Sequence, residues 1–150
     1  RLLFGMPTSL VTAGRMRHEV VEYCNTTFHF QDPSLVVSAV SGVINQQGRA
    51  FTHGFEIHLE KATMHYEFAG FADKGELMPL KILTADGQVV RPEIGGGDPS
   101  EAFVGEIAEV VKCVEANQPS PTLSGDLARD AIILCHKQTE SVKTGGLVKI

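Results

Sequence analysis

The sequence predicts an α+β domain with a predominantly antiparallel, open β-sheet and helices packed on one face. Three observations predict it. Short runs of β-branched and aromatic residues recur through the first two thirds of the chain, separated by turn residues. Asp86-Gly87 stands between two such runs and is a strong hairpin signal. The last third switches to helical spacing behind the start signal Asp98-Pro99-Ser100-Glu101. There is no internal repeat and no dividing linker, so residues 1–150 are read as a single domain.

Taken in order, the chain opens on Arg1 within an apolar stretch, Leu2, Leu3 and Phe4. This reads as the tail of a helix whose start is missing, and the chain as a fragment of something longer. Leu10 to Ala13, Val20 to Phe30 and Leu35 to Ile44 are the first three strands. Gln31-Asp32-Pro33-Ser34 supplies turn chemistry between the second and third, which predicts an antiparallel hairpin. Phe28 and Phe30 with Val36, Ala39 and Val43 are expected to supply much of one buried face.

A second hairpin joins Gly54 to Glu60 with Thr63 to Ala69. If Lys61 and Ala62 form its loop, His58 faces His65 and Glu56 faces Glu67. The period of two puts Phe55, Ile57 and Leu59 with Met64, Tyr66 and Phe68 on an apolar face. Glu56, His58 and Glu60 then share a polar face with Thr63, His65 and Glu67. Leu80 to Thr84 and Gln88 to Arg91 flank the Asp-Gly turn.

Gly95-Gly96-Gly97 reads as a flexible hinge before a helix with Asp98 as N-cap and Pro99 at its first position. Phe103, Ile107, Val110, Val111 and Val114 follow at helical spacing and predict one buried face. That helix stops near Asn117, ahead of Pro119 and Pro121. Ser124 opens a second helix, in which Leu127, Ala131, Leu134 and Cys135 share a face. Gly145-Gly146 ends it, and Leu147 to Ile150 add a closing strand.

Composition narrows the function classes. Thirteen Lys+Arg against eighteen Asp+Glu give a net charge of −5, so no global cationic field exists to hold a nucleic acid. The longest apolar runs fall well short of the ~20 residues a bilayer span needs, which argues against a membrane protein. Three cysteines without a C-x-x-C pair argue against a disulfide framework or zinc ribbon and point to a reducing, cytoplasmic compartment.

Few residues advertise chemistry. The glycines at 95–97 lack the G-x-G-x-x-G pattern of a dinucleotide site, and Asp98 and Glu101 would repel a phosphate there, so no cofactor-binding residue is assigned. His58 and His65, with Glu56 and Glu67 beside them, are candidate metal ligands of types suited to zinc or iron; the alternative is a polar surface or subunit contact. Cys24 and His29 are five residues apart on one strand and project to opposite faces, so Cys24 reads as a core thiol. Cys113 and Cys135 read as buried packing residues, and Glu115, Asp126 and Asp130 as solvated helix positions. No serine sits in a nucleophile elbow, and no catalytic residue is assigned.

The order of segments resembles the C-terminal domain of the Gfo/Idh/MocA oxidoreductases, the glucose-fructose oxidoreductase and inositol dehydrogenase family. The residues behind this are Arg1 to Ala13, similar to a helix-to-strand passage ending G-x-P-x-x-V-x-A, and the hairpin Gly54 to His65, where Ala62 replaces a usual turn glycine. The most specific part is Gly97-Asp-Pro-Ser-Glu-Ala-Phe, Pro119 to Ala131, and Thr144-Gly-Gly-Leu-Val148. The match covers essentially the whole chain.

The resemblance implies a substrate-binding and dimerisation domain of an NAD(P)-dependent sugar or polyol dehydrogenase, preceded by a Rossmann domain absent from this chain. The family's Glu-Lys-Pro lysine and Asp-x-x-x-His pair are absent as well, so the fragment alone is expected to be catalytically inert. His53 and Phe55 map best onto substrate-facing positions. The family dimerises through the open sheet face, which would give the His58/His65 face a structural use. The alternative function is a non-catalytic binding or assembly module that retains the fold.

Overall fold

The computed structural model describes residues 1–43, 45–94 and 99–150. Its elements are β1 (Ser9–Arg17), β2 (Val20–His29), β3 (Val36–Gly42), β4 (Arg49–His58), β5 (Ala62–Phe71), β6 (Gly75–Thr84), β7 (Val89–Val90), α1 (Pro99–Ala116), α2 (Gly125–Thr144) and β8 (Val148–Lys149). Every strand pair is antiparallel, and the fold class is α+β. The strands form two four-stranded sheets, ordered β3-β2-β1-β8 and β4-β5-β6-β7. They belong to two compact units, Arg1–Val43 with Asp98–Ile150, and Ile44–Gly97.

In the first unit, the β1–β2 hairpin turns at His18, whose φ of 55° lies in the left-handed region. Lys143 at the end of α2 donates to the adjacent Glu19 at 2.7 Å. The register Leu10↔Phe28, Thr12↔Thr26 and Gly14↔Cys24 gathers those residues on one face, and α2 covers it. Leu10, Thr12, Cys24, Thr26 and Val148 are buried there. Thr26 Oγ1 accepts from Gln138 Nε2 at 2.7 Å and shares a hydrogen bond with Thr12 Oγ1 at 3.0 Å. Strand β8 pairs with β1 only at Ser9 and Leu10. Two residues on, Ser141 Oγ accepts from the Thr12 N–H at 2.8 Å and donates to the Gly146 carbonyl at 2.6 Å. A helix close to a sheet edge thereby leaves these polar groups paired. At Gly14 an added Cβ would lie 2.7 Å from the Tyr23 carbonyl oxygen and 3.1 Å from Val142 Cγ2, so this position requires glycine's missing side chain.

The ends of α2 follow the sequence signals. Ser124 caps it by accepting from the Leu127 N–H, and Gly145, at φ 69°, closes it with an N–H bond to the Ser141 carbonyl. Asp126 in its first turn and Lys143 in its last complement the helix dipole.

Several packing expectations are corrected. The inward stripe of α2 runs through Leu127, Asp130, Leu134, Gln138 and Ser141, while Ala131 and Cys135 are exposed. Asp130 is not solvated. It is 5% exposed and accepts from Arg1 Nε at 2.6 Å and Arg129 Nη2 at 2.8 Å. These bonds, Arg1's foremost, hold its carboxyl below the ordinary value of 3.8. Val36 pairs with His29, so it lies on the face opposite Phe28 and is exposed; Ala39 and Val43 are exposed as well. The five apolar residues of α1 do share a side, yet Phe103, Ile107 and Val114 are each more than 60% exposed, and among the described residues α1 packs on no other element of its own unit. Periodicity identifies a stripe and says nothing of what covers it. The start signal at Asp98 and the glycines at 95–97 lie outside the described residues.

In the second unit two strands begin earlier than their sequence signals, while β7 is shorter than the expected Gln88 to Arg91, at Val89–Val90. Strand β4 begins at Arg49 and β6 at Gly75, ahead of the expected Gly54 and Leu80. The Asp86-Gly87 hairpin is present: Gly87 has φ 83°, and the Gly87 N–H and Thr84 carbonyl close the turn at 3.0 Å. Asp86 accepts from both Thr84 Oγ1 and Gln88 Nε2, and its carboxyl is held below its ordinary value, mainly by the Thr84 bond.

Candidate functional site

The β4–β5 register is Phe55↔Tyr66, Ile57↔Met64 and His58↔Thr63. This is displaced by two residues from the expected hairpin, because the connection is Leu59-Glu60-Lys61 with the Leu59 N–H bonded to the Ala62 carbonyl. A displacement of two keeps every side chain on its expected face and changes only its partner. His58 does not face His65.

On the polar face, Glu56 is directly opposite His65, and His65 is in turn opposite Lys81. His58 Nε2 lies 3.5 Å from Glu56 Oε1, and its Nδ1 is 3.3 Å from Thr63 Oγ1. Carboxylate, imidazole and ammonium thus alternate across three strands. The described residues contain no group of three or more ligand side chains placed to hold a metal ion.

The other face is where the two substrate-facing candidates meet. His53 and Phe55 project from β4 with Phe51, against Tyr66 and Phe68 of β5. The His53 ring lies 5.2 Å from Phe51, 5.4 Å from Tyr66 and 5.5 Å from Phe68, while Phe55 stacks on Tyr66 at 5.7 Å. Such centroid distances are those of interacting aromatic pairs. His53 Nε2 and Tyr66 Oη share a hydrogen bond at 3.3 Å, so the platform carries two polar ring atoms among apolar surface. Its β4 rings are exposed, Phe51 at 58% and Phe55 at 43%. Sequence reasoning found Tyr66 and Phe68 as apolar-face residues; it missed Phe51, and with it the ring cluster, because it began the strand at Gly54.

Two further clusters were absent from that reading. Glu109 accepts from Ser120 Oγ at 2.9 Å and from Cys113 Sγ at 3.5 Å, at a shallow groove lined by Val110, Val114, Pro119 and Leu123. Burial and the Glu109 contact push the Cys113 thiol above its ordinary value, which opposes nucleophile chemistry there. Cys24 is a buried thiol, as its strand position predicts. The second cluster is the Arg1–Asp130–Arg129 group, an ion-paired anchor of α2.

No family model, curated protein or solved structure matches this chain. Among the described residues no helix is long and apolar enough to cross a membrane.

Proposed function

We propose that this chain is the substrate-binding and dimerisation part of an NAD(P)-dependent sugar or polyol oxidoreductase of Gfo/Idh/MocA type, working in a cytoplasmic, reducing compartment. The observation that supports this most is the ring cluster around His53. Phe55 and Tyr66 offer stacking surface, and the His53–Tyr66 pair offers a donor and an acceptor to ligand hydroxyls. The open polar face of the same sheet, with His58 and His65, is the surface through which two copies would associate.

NAD or NADP belongs to the full-length enzyme in this reading, and the residues of this chain do not fit it. A dinucleotide's pyrophosphate rests on the first turn of a βαβ unit, and with every strand pair antiparallel the described residues contain none. The chain's own part is to bind and orient substrate. It is catalytically inert alone. The exposed stripe of α1, with Phe103, Ile107 and Val114, favours a second reading as a non-catalytic assembly module.

The test is a nitrogen-15 NMR titration of the chain with aldoses, cyclic polyols and linear polyols at millimolar concentration, combined with the coding sequence upstream of Arg1. Shifts confined to His53, Phe55, Tyr66 and their neighbours, behind an upstream dinucleotide-binding unit with Glu-Lys-Pro and Asp-x-x-x-His, support the reading. Unmoved resonances at those residues, with no such unit upstream, overturn it. An upstream dinucleotide unit lacking the lysine and histidine selects the assembly module.

A further inference from the structure

The β4–β5 ladder sets His53 opposite Phe68 and Phe55 opposite Tyr66, which makes Tyr66 the diagonal neighbour of His53 on one face. Gly54 stands between the two β4 positions and lets the strands meet closely. An added Cβ there would lie 2.7 Å from the Tyr66 carbonyl oxygen and 3.2 Å from Glu67 Cα. Backbone pairing inside a single unit, Ile44–Gly97, thereby brings the phenol and the imidazole together.

Tyr66 Oη and His53 Nε2 are 3.3 Å apart, and among the described residues neither Tyr66 Oη nor His53 Nδ1 has a second hydrogen-bond partner. The other rings against His53, Phe51 and Phe68, bring no competing polar group. One hydrogen serves the contact, in one of two senses: the phenol donates to a bare Nε2, or a protonated Nε2 donates to the phenol oxygen. A phenol O–H is a stronger donor than a neutral imidazole N–H, and a bare imidazole nitrogen is a stronger acceptor than a phenol oxygen. The first sense joins the stronger donor to the stronger acceptor.

We propose that Tyr66 donates to His53 Nε2, fixing the neutral imidazole as its Nδ1–H tautomer, and that the pair so arranged selects hydroxyl-bearing ligands over carboxylates and ammonium ions. The hydrogen bond at one ring nitrogen decides which nitrogen carries the proton. With Nε2 occupied, the pair offers one donor, Nδ1–H, and one acceptor, the lone pairs of the Tyr66 oxygen. Hydroxyl groups answer both, because each can accept and donate. A carboxylate accepts from Nδ1 but has no hydrogen for the Tyr66 oxygen, and an ammonium donates to Tyr66 but has nothing with which to accept. A site built to hydrogen-bond hydroxyls discriminates against ligands that leave its polar groups unpaired. Tyr66 is in this account a positioning residue that acts through His53. The selectivity rests on the substrate-binding role proposed above, whereas the tautomer does not.

The tautomer is read without ligand, from two-bond proton–nitrogen correlations of the nitrogen-15-labelled chain at alkaline pH, with His53→Gln assigning the signals. The proton is expected on Nδ1. Tyr66→Phe keeps the ring and removes the hydroxyl, and is expected to return His53 to the Nε2–H form that free histidine prefers, with unchanged circular dichroism. An Nε2–H imidazole in the parent overturns the proposal whether or not the variant folds, and so does the same tautomer in parent and folded variant. Selectivity is read by titrating the parent with cyclohexane-1,2-diol, cyclohexanecarboxylate and cyclohexylammonium, which share a ring and differ in polar group. Shifts at His53 and Tyr66 are expected with the diol at concentrations at least about ten-fold below those either ion needs. Equal or tighter binding of an ion overturns the selectivity. Unmoved resonances with all three probes, beside a proton on Nδ1, overturn the selectivity together with the substrate-binding reading and leave the tautomer standing; a diol bound beside an Nε2–H imidazole overturns the tautomer alone.

Discussion

The two sheets differ in what their faces are made of and in what happens to them. The covered face of the β3-β2-β1-β8 sheet is built from small and hydroxyl-bearing residues around Leu10: Thr12, Gly14, Cys24 and Thr26. The β4-β5-β6-β7 sheet carries the larger apolar side chains, Phe51, Phe55, Tyr66 and Phe68, and its own unit contains no helix to cover them. Burial therefore does not follow side-chain hydrophobicity here. Small residues let α2 approach the backbone of β1, and each hydroxyl so enclosed, from Thr12 to Ser141, has a hydrogen-bond partner. Large rings whose own unit, among the described residues, holds no helix to cover them stay partly exposed.

The largest expected effect contrasts the two sheets directly. Leu10→Ala removes a fully buried side chain and should cost about 2–5 kcal/mol in urea denaturation. Phe55→Ala, at a 43% exposed position, should stay within about 0.5 kcal/mol. Equal costs would break the comparison. Gly14→Ala comes next, since the added methyl meets backbone at 2.7 Å and the overpacking should cost about 1–3 kcal/mol. Gly105→Ala in the unpacked helix α1 meets nothing within 4 Å and should raise helicity, by about 1 kcal/mol of propensity, as followed by circular dichroism.

A smaller loss, about 1 kcal/mol, is expected for Ser124→Ala, which removes the cap of the helix that covers the first sheet; thermal melts would register it. The finest test uses pH. The Asp130 carboxyl is held below 3.8 by Arg1 and Arg129, so its stabilising contribution is complete above that range and is lost as pH falls through the depressed value. Melting temperatures between pH 2 and 6 should fall less steeply for Asp130→Asn than for the parent, and parallel curves would show that the ion pairs contribute nothing.

Much of this organisation was legible locally. Turn chemistry at Asp32-Pro33 and Asp86-Gly87, the Ser124 cap and the Gly145 stop each depend on a few adjacent residues, and all four appear in the fold. The hairpin faces were legible for the same reason: a period of two needs no partner. The partner itself was not legible. A loop of Lys61-Ala62 and one of Leu59-Glu60-Lys61 preserve the same faces, so only the backbone bond from Leu59 to Ala62 separates His58 from His65. The His53 cluster was half visible, since Phe55 and Tyr66 alternate correctly while Phe51 lay beyond the expected strand.

The amino-acid order determined the element types, their caps and turns, and the apolar and polar faces of each strand and helix, because these follow from backbone geometry within a few residues. Tertiary structure decided which stripe of α2 turned inward, that Asp130 became a buried ion pair, and that among the described residues no element of its own unit covers the stripe of α1. Those outcomes depend on side chains distant in sequence, such as Arg1 meeting Asp130, and no local pattern encodes a contact with a distant partner.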